Sequence, residues 1–352
     1  MTPDINEFRA IVEDDEPTRI YSAADMVRSN MEEIADCLMN GPGVIVIKGA
    51  VAPDVVDAGS EVFWQLIEAQ KRAGIGAGDH FAKAGANDRV WNALEKMAVQ
   101  SPGVFVDYYA NPSIAVASEA WLGPGYQITS QLNVVNPGGE AQSPHRDYHL
   151  GFMDIAQAAR FPSQAHLLSP VLTLQGAIAH VDMPVESGPT MFLPHSQKYD
   201  AGYLAWPLPE FEQYFAEHHV QLPLDKGDAV FFNPALFHGA GTNRTADVKR
   251  MANLLQIGSP MGRTLESVDR ERIVNAVFPA LLERADHPHI NAAIGAAAEG
   301  YPFPTNLDRD EPINAIVPES QADMVSRAVA DRWTPEQLAK SLQEMAHRKR
   351  SH

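Results

Sequence analysis

The residues best placed to do chemistry lie in Ser143-Pro144-His145-Arg146-Asp147-Tyr148-His149. In an extended segment, residues two apart point the same way, so His145 and Asp147 can offer an imidazole nitrogen and a carboxylate oxygen to one metal ion. A third ligand has to come from elsewhere. The best candidate is His238, 93 residues on, in Asn233-Pro-Ala-Leu-Phe-His-Gly-Ala-Gly241. Two histidines and one carboxylate on one face of an ion make a facial triad, which on Fe(II) leaves three positions open for a co-substrate and dioxygen. An isolated His-x-Asp is weak support, because such pairs usually only hydrogen-bond on surface loops.

The surrounding sequence is more specific. Three blocks occur in order: Gln131-Leu-Asn-Val-Val-Asn-Pro-Gly-Gly139 leading to His145-Arg146-Asp147; His180-Val-Asp-Met-Pro-Val-Glu-Ser-Gly-Pro-Thr-Met-Phe-Leu-Pro-His-Ser-Gln-Lys198; and Asp225-Lys-Gly-Asp-Ala-Val-Phe-Phe232 followed by His238-Gly-Ala-Gly-Thr-Asn243 and a downstream arginine. Over residues 43–257 this resembles the phytanoyl-CoA dioxygenase family of Fe(II)/2-oxoglutarate oxygenases. The resemblance implies Fe(II) on His145, Asp147 and His238, with 2-oxoglutarate and O2 as co-substrates. It also implies oxidative decarboxylation to succinate and CO2 coupled to hydroxylation of a substrate C–H bond. An intact Asp147 sets the chain apart from related halogenases, in which a small residue replaces that carboxylate.

The family places an arginine about eleven residues beyond the distal histidine to hold the far carboxylate of 2-oxoglutarate. Position 249 is Lys249, and Arg250 follows at twelve, so a one-residue insertion is assumed. A guanidinium fork matches a carboxylate better than an ammonium does. Arg244 is the rival, although Asn243-Arg244-Thr245 reads as turn chemistry; Lys249 is a rival only if the insertion lies elsewhere. Gln131 and Asn133 alternate with Leu132 and Val134, so both could face a barrel interior, and the resemblance implies an amide on this strand that hydrogen-bonds the co-substrate. Gln175 and His180 read as a satisfied core amide and a strand-end histidine. His149 is a possible fourth inward group, His195 a turn residue, and His287 and His289 a surface loop pair.

Stepping outward, these residues need a scaffold of strands. Short β-rich runs separated by Pro, Gly, Asn and Asp cover 126–135, 171–181, 190–193, 220–224, 229–232 and 251–257, and residues 43–48 form an earlier strand. Without crossover helices between them, they predict an antiparallel sandwich or barrel wrapped by flanking helices; the resemblance implies a mainly β protein whose core is a double-stranded β-helix of the jelly-roll, cupin-like kind. The expected organisation is one oxygenase domain over 1–352: a helical part with the first core strand (1–125), the metal-binding β-core (126–257) and a helical extension (258–352). Ser22 and Asp25 open a predicted helix carrying Val27, Met31, Ile34 and Leu38. Another helix is expected over 53–73, and Thr334-Pro335 opens the last. Stretches 76–87, 153–169 and 199–209 are expected loops, serving as lid and pocket walls.

Composition excludes several classes. With 27 Lys+Arg against 45 Asp+Glu, the net charge is −18, which repels a nucleic-acid backbone. No apolar run approaches the roughly 20 residues that span a bilayer. The start shows no secretory pattern, the end no peroxisomal one, and a lone Cys37 fits a reducing cytoplasm. The expected partner is a small-molecule substrate. Two other readings remain open: a non-catalytic cupin-like binding protein, and a Zn2+ or Ni2+ enzyme on the same barrel.

Overall fold

A computed structural model describes residues 1–14, 16–74, 86–313 and 315–352. Among them are ten strands: β1 (Arg19–Ser22), β2 (Val44–Lys48), β3 (Asn87–Val90), β4 (Gln127–Val135), β5 (Thr173–Ala179), β6 (Met191–Leu193), β7 (Val220–Gln221), β8 (Ala229–Phe232), β9 (Phe237–Gly239) and β10 (Arg250–Gly258). Seven form a mixed sheet in the order β1-β2-β8-β5-β10-β4-β3, and three form a small sheet, β7-β6-β9. Among the described residues, only the β1–β2 pair is parallel.

The two-residue period of the strands divides the large sheet into two chemically different faces. On β10, Met251, Leu255 and Ile257 point into an apolar core, whereas Arg250, Ala252, Leu254 and Gln256 line a cavity. Strand β4 does the same, with Ile128, Leu132 and Val134 in the core and Gln131 and Asn133 on the cavity. Burying each large apolar side chain contributes about 1.5–3 kcal/mol, so a one-residue register slip would be costly. A second apolar cluster, including Val46, Val230, Phe232, Phe192 and Leu224, joins the large sheet to the small one.

Helices cover the apolar face. They come from both ends of the chain, notably Pro53–Arg72, Pro102–Tyr109, Pro112–Leu122, Arg270–Glu283 and Gln321–Ala330. The expectation of a mainly β protein is therefore corrected: about 46% of the structure is helical and 16% strand. A seven-stranded sheet with one apolar face needs a layer of similar area to cover it, and the flanks supply that layer. Strands β1 and β3, which the sequence reading did not assign, also lie before residue 126 and extend the sheet at its two edges.

Local signals explain several boundaries. Pro53 opens its helix at the first turn, and Thr334 and Gln337 cap the final helix reciprocally. Asp25 instead accepts from the Ser22 N–H at 2.7 Å within a short 3-10 turn, Ala23–Asp25, and the longer helix starts only at Met31. Stretches 153–169 and 199–209 are not plain loops, since they contain the helices Ile155–Ala158, Ser163–Leu168 and Gly202–Ala205. Most of the third expected loop, residues 76–85, lies outside the described residues. No described helix is long and apolar enough to cross a membrane.

Candidate functional site

His238 sits in β9, and His145 pairs with it as an antiparallel bridge. Each donates its backbone N–H to the other's carbonyl, at 2.9 and 3.1 Å. This puts the two rings on one face, with centroids 4.5 Å apart. Asp147 follows two residues after His145 and fixes its own backbone by donating to the Pro234 carbonyl at 3.1 Å. Its Oδ1 lies 3.8 Å from His145 Nε2 and its Oδ2 3.5 Å from His238 Nε2. One ligand atom from each of the three residues falls within 4.8 Å of the others.

The tautomers follow from the neighbours. His145 Nδ1 lies 2.9 Å from the Ser143 carbonyl and His238 Nδ1 2.8 Å from the Leu236 carbonyl. A carbonyl only accepts, so each Nδ1 carries the proton and each neutral ring directs its Nε2 lone pair toward Asp147. Burial opposes ionisation of Asp147, but positive charge on His145 and His238, when they are protonated, and the Gln175 amide outweigh it and hold the carboxyl well below its ordinary range. Two imidazole lone pairs and an ionised carboxylate converging on one point fit a divalent transition metal such as iron.

A cavity of about 610 Å³ opens between the two sheets beside this triad. Arg250 lines it while only 7% exposed, and its Nη1 donates to the Ser187 and Gly241 carbonyls at 3.1 and 3.2 Å. It has no carboxylate partner among the described residues, and burial pulls its pKa down to about 10, so it stays charged at neutral pH. A buried cation without a counter-ion is costly, and a dicarboxylate guest would supply one. Arg244 is exposed and away from the cavity, held by its backbone N–H on the Glu186 carbonyl at 2.8 Å. Lys249 is exposed too, with Nζ 5.7 Å from the Trp64 ring centroid. Of the three candidate anchors, the fold brings only Arg250 to the cavity.

Gln131 and Asn133 both line the cavity. Gln131 Oε1 accepts from Arg89, while its Nε2 is buried without a partner; Asn133 Oδ1 accepts from Asn87 Nδ2 at 3.2 Å. Gln175 also lines the cavity and donates to Asp147, so the core-amide reading of it is corrected. His180 faces the helices instead, between Ser60 Oγ at 2.8 Å and the Tyr108 hydroxyl at 2.9 Å, and burial pushes it down to about 3. His149 is not among the cavity-lining residues, His195 occupies a left-handed turn with φ 67°, and His287 and His289 are exposed.

Two neighbours of the candidate site carry no clear signal in the sequence. Arg89 enters the cavity from β3, a short edge strand of Asn-Asp-Arg-Val whose polar composition carries no strand signal. Arg146, between the two metal candidates, points to the opposite side and is 2% exposed. It donates to the Ser196 and Tyr199 carbonyls at 2.6 and 2.9 Å and lies over the rings of Tyr203 and Phe237, pinning the His-x-Asp segment to the 196–203 turn.

A two-sheet cavity with a His/Asp/His cluster and the buried Arg250 beside it is the type of site a metal-dependent oxygenase needs. Residues 39–252 match the phytanoyl-CoA dioxygenase (PhyH) family, and the chain belongs to that family. Enzymes of this family use Fe(II), 2-oxoglutarate and O2. Similar proteins include Dioxygenase trt7 of Aspergillus terreus, 28% identical over 217 residues, which are 60% of this chain and 68% of the relative. Dioxygenase olcK of Penicillium canescens is 26% identical over 220 residues, 60% of this chain and 66% of the relative. Among solved structures, the non-heme alpha ketoglutarate dependent carbocyclase SnoK from nogalamycin biosynthesis aligns at 20% identity with a TM-score of 0.47, covering 68% of this chain and 86% of that one.

Proposed function

We propose that the chain is an Fe(II)- and 2-oxoglutarate-dependent dioxygenase that hydroxylates an unactivated C–H bond of a small-molecule metabolite and releases succinate and CO2. His145, Asp147 and His238 hold the iron, and Arg250 takes the distal carboxylate of 2-oxoglutarate. Bound iron supplies the oxidising chemistry, coupling decarboxylation of the oxo acid to oxidation of the substrate. The residues of the chain bind, orient and shield. The Ser143 and Leu236 carbonyls keep both imidazoles in the ligating tautomer. Gln131 and Asn133 offer amides along the co-substrate's path, and the apolar wall of Phe192, Leu224, Val230 and Phe232 keeps water from the reacting centre.

In this reading the two sheets are the faces of a double-stranded β-helix, and 1–352 is one oxygenase domain acting in the cytoplasm, where the free, buried Cys37 stays reduced. Convergence of the three ligand atoms beside a buried, carboxylate-free arginine carries the proposal. The test is anaerobic reconstitution with Fe(II) and 2-oxoglutarate, then oxygen and a metabolite panel, with succinate and oxygenated product quantified together. Matched succinate and product, lost on chelation and restored only by Fe(II), is the expected result. Activity restored equally by Zn2+ or Ni2+, or turnover without succinate, would overturn it.

A further inference from the structure

Gln175 on β5 and Gln256 on β10 are register partners facing the cavity. Each holds one of two consecutive residues of the His-x-Asp segment. Gln175 Nε2 donates to Asp147 Oδ2, and the Tyr148 hydroxyl donates to Gln256 Oε1. An ionised carboxylate can only accept, so the Gln175 amide must turn its NH2 on Asp147, which leaves its Oε1 buried without a partner. The backbone immediately after Asp147 is strained, with Tyr148 at φ 64° and His149 at φ 48°. Side chains in such a segment keep one orientation only where surrounding contacts impose it.

We propose that Gln175 is a positioning residue for the metal carboxylate, an inference that rests on Asp147 being an iron ligand. Without a donor on Oδ2, the Asp147 carboxylate is free to turn about its terminal torsion, which has a broad, shallow preference. The amide removes that freedom and occupies one oxygen, so that Asp147 offers the other to the metal and does not spread over two coordination positions. A facial triad depends on such economy, because the co-substrate and oxygen need the remaining positions. Gln256 performs a different task from the same row, fixing Tyr148 rather than the ligand.

The experiment titrates metal-free protein with Co(II) under anaerobic conditions, following the d–d absorption bands, for wild type, Gln175→Leu, Gln175→Met and Gln256→Leu. Urea denaturation of each variant shows that it folds, and the near-isosteric Gln175→Met serves if the leucine variant does not. Loss of an outer partner of a metal ligand typically weakens binding by about 10–100-fold, and that loss, with altered Co(II) bands, is expected for both Gln175 variants. Gln256→Leu is expected to bind Co(II) close to wild type. Wild-type affinity and bands in both Gln175 variants would overturn the inference, as would an equal loss in Gln256→Leu. A wild type that takes up no Co(II) would overturn the metal-site reading together with it.

Discussion

Replacing Arg250 gives the sharpest test of how the cavity holds its co-substrate. The side chain is 7% exposed, and its only hydrogen bonds among the described residues run to the Ser187 and Gly241 carbonyls. In Arg250→Ala the distal carboxylate of 2-oxoglutarate would enter the same buried site with no counter-charge. Breaking a buried pair by removing one partner costs about 3–5 kcal/mol. At about 1.4 kcal/mol per decade, that raises the 2-oxoglutarate KM by roughly a hundred-fold to a few thousand-fold. Arg250→Lys keeps a charge but loses the fork, so it should fall between wild type and alanine. The assay measures KM for 2-oxoglutarate by succinate formation with Fe(II) saturating, alongside Arg244→Ala and Lys249→Ala. Both comparison residues are exposed, where ion pairs contribute at most about 1 kcal/mol, so their KM values should move less than about five-fold. An unchanged KM in Arg250→Ala would show that another group holds the distal carboxylate, and a large effect confined to Arg244 would place the anchor in the turn.

His145→Ala, Asp147→Ala and His238→Ala should each abolish Fe(II)-dependent turnover while circular dichroism and the urea midpoint stay near wild type; retained iron stoichiometry in any of them removes that residue from the ligand set. Gly202→Ala should destabilise the fold by about 1–3 kcal/mol in urea denaturation, because the added Cβ would overlap the buried Arg146 guanidinium; an unchanged midpoint would show that the 196–203 turn yields freely. Burial raises Glu266 from 4.5 to about 7, so its contribution to stability is present below pH 4.5 and lost as pH rises through 7. Glu266→Gln should therefore gain on wild type across that window, and parallel stability curves would contradict the shift. Burial lowers His180 from 6.5 to about 3, so its contribution is present above pH 6.5 and lost as pH falls; His180→Asn should flatten the acid side of the curve, and an unaltered acid slope would show that the group does not titrate as described.

Local spacing along the chain was enough to read several parts of this protein. His145 and Asp147 share a face because an extended chain repeats every two residues, and the same period put Gln131 and Asn133 on the cavity. The strands β2, β4, β5, β8 and β10 were legible from β-branched runs between turn residues, and Pro53 and Thr334 marked helix starts, because these preferences act within a few residues. Tertiary structure decided the rest. Nothing local shows that the His238 backbone pairs with His145, or that Arg250 enters the cavity while Arg244 stays outside. Gln175 and His180 sit in one apolar run, yet one holds the candidate metal carboxylate and the other is enclosed by Ser60 and Tyr108. Their odd and even positions send them to opposite sides of the sheet, and only the packing of helices on one side and the small sheet on the other makes one side a core and the other a site. That helix outweighs strand was hidden for the same reason. How much cover an apolar sheet face needs is set by the width of the finished sheet, a property of seven strands together and of none of them alone.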